Sequence, residues 1–126
     1  PAGAEHSEWT RCVMNQDVEV LFLASHTHSL GIEFTIAPFD GEHVGEVFYR
    51  NTDWHVPLIE QYDPPRVVPK GQGFEWTCTW RNPGDQPVRY GLDASDEMCN
   101  LAIVHTPFST SSAALNCSWR YKRILY

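Results

Sequence analysis

Apolar and polar positions alternate with period two through most of the readable segments of the chain. Asp17-Val18-Glu19-Val20-Leu21-Phe22-Leu23 and, after Gly31, Ile32-Glu33-Phe34-Thr35-Ile36 have the pattern of half-buried strands. Phe74-Glu75-Trp76-Thr77-Cys78-Thr79-Trp80 sets three aromatics and a cysteine on one face, with Glu and Thr turned toward water on the other. Shorter strands are predicted at Glu46 to Arg50, Arg66 to Val68, Val88 to Gly91, Asn100 to His105 and Leu115 to Tyr121. Asp63-Pro64-Pro65, Pro69-Lys70-Gly71 and Asn82-Pro83-Gly84-Asp85 separate them as breakers. No stretch carries a sustained 3.6 period with caps. About seven to nine short strands joined by turns predict an all-β chain, an antiparallel β-sandwich or jelly roll, spanning residues 1–126 as one domain without repeats or linkers.

Composition narrows the function classes. With 42% hydrophobic and 13% aromatic residues the chain can build a core, which argues against disorder. The formal net charge of −7 repels a phosphate backbone and an anionic lipid surface, so neither nucleic acid nor membrane is an expected partner. Arg120-Tyr121-Lys122-Arg123 concentrates bases locally and reads as a solvated terminal strand or tail. No apolar run approaches the roughly 18 residues of a spanning helix. The opening PAGAEHSEW has neither a basic n-region nor an apolar h-region, as expected of a chain already processed.

Cys12, Cys78, Cys99 and Cys117 are an even set in a small, turn-rich chain, which suits two disulfides and a secreted, periplasmic or extracellular location. Spacing alone leaves three pairings open. Zinc held by these cysteines is the rival reading, and it lacks the C-x₂₋₄-C spacing such sites use. The sequon Asn116-Cys117-Ser118 is compatible with secretion.

His26-Thr27-His28 places two imidazoles on one side of a strand, where they can converge on a single ion. The same pattern fits two packed histidines, because without a bulge His26 and His28 share the inward parity of Val18, Val20 and Phe22. Asp96-Glu97-Met98-Cys99 supplies a thioether directly before a cysteine that a disulfide could anchor. Two imidazoles and one soft sulfur form a donor set that favours copper over zinc, calcium or magnesium.

Ala24-Ser25-His26-Thr27-His28, the later Asp96-Glu97-Met98-Cys99, and cysteines near both ends together resemble the C-terminal domain of the copper type II, ascorbate-dependent monooxygenases. That group contains peptidylglycine alpha-hydroxylating monooxygenase and dopamine beta-monooxygenase. The resemblance runs from Cys12 to Cys117. It implies one copper, cycling between Cu(I) and Cu(II), held by His26, His28 and Met98 for dioxygen activation and C–H hydroxylation, with ascorbate as reductant. It also implies Cys78–Cys99 and Cys12–Cys117 disulfides, and Asn100 beside a small-molecule substrate.

The family also uses an N-terminal copper domain for electron transfer, which this sequence does not contain. His6, His43, His55 and His105 are scattered, form no His-His pair, and are expected to be structural or exposed. An upstream or separate electron-transfer domain is therefore an expected partner, and sustained turnover by this chain alone is not expected. Where the peptide-amidating members carry an arginine and a tyrosine toward substrate, this sequence has Ala24 and Ala102, which argues against a peptidylglycine substrate. A non-catalytic module for copper capture or delivery, or for recognition on the same sandwich, is the alternative.

Overall fold

A computed structural model describes residues 4–107, 115–120 and 124–125. Tyr121, Lys122 and Arg123 of the basic cluster lie outside the described residues. Ten strands follow in chain order: β1 (Glu5–Met14), β2 (Val18–His26), β3 (Gly31–Phe39), β4 (Tyr49–Asn51), β5 (Ile59–Val68), β6 (Gly73–Arg81), β7 (Val88–Arg89), β8 (Asn100–Thr106), β9 (Leu115–Arg120) and β10 (Ile124–Leu125). There is no helix among the described residues, and none long and apolar enough to cross a membrane.

Eight of the strands build two antiparallel sheets, a five-stranded one ordered β4-β3-β6-β1-β9 and a three-stranded one ordered β5-β2-β8, while β7 and β10 pair as a short ribbon. The inward faces enclose Met14, Val18, Val20, Leu23, Phe34, Ile36, Tyr49, Phe74, Cys78 and Trp80. This all-β sandwich is the architecture expected from the alternating pattern. Burying these side chains is the main favourable term in its stability.

Two disulfides brace it, and no described cysteine is free. Cys12–Cys117 joins directly opposed residues of neighbouring β1 and β9. Cys78–Cys99 runs from the centre of β6 to the residue before β8, and so ties the five-stranded sheet to the three-stranded one. These are the pairings that the family resemblance implies.

Two strands depart from expectation. β1 lacks an apolar alternation because its inward side carries Glu8 and Thr10 opposite Cys78 and Trp76 of β6. β5 runs straight through Asp63-Pro64-Pro65, which reads as a breaker. β5 is an edge strand, and its pairing with β2 passes from Arg66 to Gln61 with no partners for the residues between, so the prolines owe the ladder no N–H there.

A β-bulge in β2 decides the orientation of the histidines. From Val20 to Phe22 the strand advances two residues while β8 advances one, from His105 to Val104. The inward parity therefore switches: Val18 and Val20 are buried before the bulge, Leu23 and Ser25 after it. Phe22 and His26 are carried to the outer face.

Candidate metal centre

The centre is assembled at one end of the sandwich, where β2 runs out at His26 and the 97–99 segment enters β8. His26 lies opposite Asn100 in the β2–β8 register. It is exposed, whereas His28 is half-buried beyond the end of the strand. The two rings meet edge to face with centroids 5.2 Å apart. His28 Nδ1 donates to the Asp96 carbonyl at 2.8 Å. A proton on Nδ1 leaves Nε2 as the lone-pair nitrogen, the arrangement that a metal-binding histidine uses.

Beneath the histidines lies a carboxylate that pattern reading passes over. Glu97 is 1% exposed and receives three N–H groups: His28 N at 3.0 Å, Leu30 N at 2.7 Å and Trp80 Nε1 at 2.9 Å. Burying so polar a group is tolerable only when it is this well satisfied. Its effect is to fasten the turn after β2 to the residue preceding Met98.

The inward face of β6 grips the same segment at alternate residues. Trp76 Nε1 donates to the Cys99 carbonyl at 3.2 Å, Cys78 holds Cys99 through the disulfide, and Trp80 reaches Glu97. Met98 is thereby fixed between two anchored neighbours and is itself 8% exposed. The turn itself is tight: a Cβ on Gly31 would stand 2.3 Å from Thr27 Oγ1.

Ser25, next to His26, is anchored from the other side. The Tyr49 hydroxyl donates to the Leu58 carbonyl at 2.6 Å, accepts from Ser25 N at 3.2 Å and shares a 2.9 Å hydrogen bond with Ser25 Oγ. Asn51 Nδ2 also donates to Ser25 Oγ, at 3.0 Å.

The chain matches the family model described as the copper type II ascorbate-dependent monooxygenase, C-terminal domain, over residues 3–123. The chain belongs to this family. No curated protein matches it. As a copper monooxygenase C-terminal domain, it presents His26, His28 and the Met98 segment at the same end of the sandwich. Among the described residues no group of three or more His, Cys, Asp or Glu could hold a metal. Two imidazoles and a thioether, the donors that His26, His28 and Met98 carry, have a chemistry that would suit copper.

The remaining histidines stand apart. His6 pairs with Glu8, His43 lies 3.6 Å from Asp40 on the surface, and His55 stacks on Trp54. His105 faces inward on β8, its Nδ1 buried without a partner among the described residues. A pocket of about 210 Å³ lined by Phe39, Asp40, His43, Arg66 and Phe74 opens at the opposite end of the sandwich and includes none of the candidate ligands.

Asn100 is engaged at both ends of its amide, donating to Met98 Sδ at 3.4 Å and accepting from the Tyr90 hydroxyl at 3.2 Å. Ala24 lies opposite Ala102 on one side and Ile59 on the other, one outward position along from His26. The neighbouring outer face is apolar, with Phe22, Ile59 and Val104 exposed.

Proposed function

We propose that this chain is the oxygen-activating half of a copper-dependent monooxygenase that hydroxylates a C–H bond, with His26, His28 and Met98 as the ligands of one copper. The observation that supports the reading is the Nδ1 bond of His28 to the Asp96 carbonyl, which leaves Nε2 of that ring as the nitrogen available to a metal. Copper, when bound, supplies the redox chemistry on which dioxygen activation depends, with ascorbate as the family's reductant.

The residues of the chain supply position. Glu97 holds the His28 turn against Met98, and the β6 indoles and disulfide keep Met98 in place. A soft thioether beside two imidazoles favours the reduced ion. Electrons come from a second copper domain, upstream in a longer protein or separate from it. The alanines at 24 and 102 offer no charged partner to a carboxylate, so the substrate meets the centre with an uncharged portion rather than as a peptidylglycine. Two disulfides and no free described cysteine support an oxidising, extracellular setting.

An anaerobic Cu(I) competition titration tests this. One equivalent should bind to the wild type, and His28→Ala and Met98→Ile should each weaken it by about tenfold or more. Binding that both variants leave unchanged would overturn the assignment. Tight Cu(I) binding and transfer to an acceptor, with no oxygen consumption when the electron-transfer domain is supplied, would instead mark a delivery module.

A further inference from the structure

We propose that Asn100 and Tyr90 are positioning residues for the Met98 thioether, a role that rests on the copper reading above and goes beyond its ligand set. A methionine side chain has three rotatable bonds and a soft sulfur, so on its own it places that sulfur poorly. Here the sulfur accepts an N–H from Asn100 Nδ2 at 3.4 Å. The tether restrains the terminal torsions and engages one of the two sulfur lone pairs. The other stays available to a metal.

The amide is itself held in one orientation. Tyr90 O–H donates to Asn100 Oδ1 at 3.2 Å, which turns the Nδ2 end toward the sulfur. A flipped amide would set a carbonyl oxygen against a sulfur that has no proton to give. Tyr90 is placed by backbone pairing, since Glu97 N donates to the Arg89 carbonyl at 2.9 Å and Gly91 N to the Glu97 carbonyl at 3.2 Å. The approach is close at Gly91, where a Cβ would stand 1.9 Å from Asp96 Oδ2 and the aspartate side chain would have to move.

The register gives the tether its consequence. Asn100 lies opposite His26 between β2 and β8, so the group holding the sulfur sits on the strand position beside the exposed imidazole. Thioether and imidazole are thereby kept in a constant relation, although one lies on the segment leading into β8 and the other at the end of β2. Asn100 then acts through Met98, and Tyr90 acts through Asn100.

The chain has two methionines, Met14 and Met98. Methyl-¹³C-methionine labelling therefore resolves the tether in metal-free protein, with the core residue Met14 as an internal reference for folding. Asn100→Leu should move and narrow the Met98 methyl signal and leave that of Met14 in place. Tyr90→Phe, a milder change at an exposed residue, should move the Met98 signal the same way by less. Tyr90→Phe should add nothing in the Asn100→Leu background. In Cu(I) competition, Asn100→Leu should bind about fivefold more weakly and Tyr90→Phe about twofold, the scale of one neutral hydrogen bond.

A Met98 signal unmoved by Asn100→Leu would overturn the proposal whether or not copper binds, as would additive effects of the two substitutions or Cu(I) binding that tightens in Asn100→Leu. Failure of the wild type to take Cu(I) through sulfur would remove the copper reading, and the metal-free spectra would still decide the tether.

Discussion

The two histidines of the candidate centre are held in contrasting ways. His28 sits on a floor of satisfied polar groups, with its ring on the Asp96 carbonyl and its backbone on the buried Glu97 carboxylate. His26 stands on an exposed sheet face, positioned by strand register, by the β2 bulge and by the anchoring of Ser25 behind it. Removing a part of the floor should unsettle the whole end of the sandwich. Removing the exposed ring should touch ligation alone.

The largest effect is expected at Glu97. Glu97→Ala strands three N–H donors and opens a cavity, and should cost about 3–5 kcal/mol in chemical unfolding of the disulfide-intact protein. Glu97→Gln keeps the volume but sets an NH₂ group against an N–H donor, and about 1–2 kcal/mol is expected by the same measurement. A loss below about 0.5 kcal/mol in both would break the contrast, because the floor would then not be a structural unit.

Tyr49→Phe is the corresponding probe behind His26. Losing the hydroxyl leaves the Leu58 carbonyl and Ser25 N without this partner, for an expected cost of about 1–3 kcal/mol with a small change in Cu(I) affinity. A tenfold drop in Cu(I) affinity would show that the Ser25 anchor also sets the His26 ligand. The smallest stability effect belongs to His26→Ala, within about 0.5 kcal/mol of wild type as usual for an exposed position, while Cu(I) binding falls by about tenfold or more. A large loss of stability there would erase the difference between the two rings.

Legibility in the sequence followed the same division. β2, β3 and β6 were readable because their alternation reports directly on a buried face. β1 was not, since Glu8 and Thr10 take inward positions that a pattern assigns to apolar residues. Pro64 and Pro65 suggested a break where an edge strand accommodates them. His26 and His28 were identifiable as an H-x-H pair, yet their face was not, because a one-residue bulge leaves no mark in composition and reverses every side chain after it. Nothing in the local sequence marks Glu97, between Asp96 and Met98, as buried. Its burial follows from tertiary donors on β6 and on the turn after β2, which local sequence does not bring together. Tyr90 was unreadable as a neighbour of Met98 for the same reason.

The most direct test of the central claim is copper K-edge X-ray absorption on the Cu(I)-loaded, disulfide-intact protein, alongside Met98→Ile. Wild type should show a first shell of two imidazole nitrogens and one sulfur, with the sulfur contribution absent in Met98→Ile. A wild-type shell without sulfur, or a sulfur contribution that survives Met98→Ile, would contradict it.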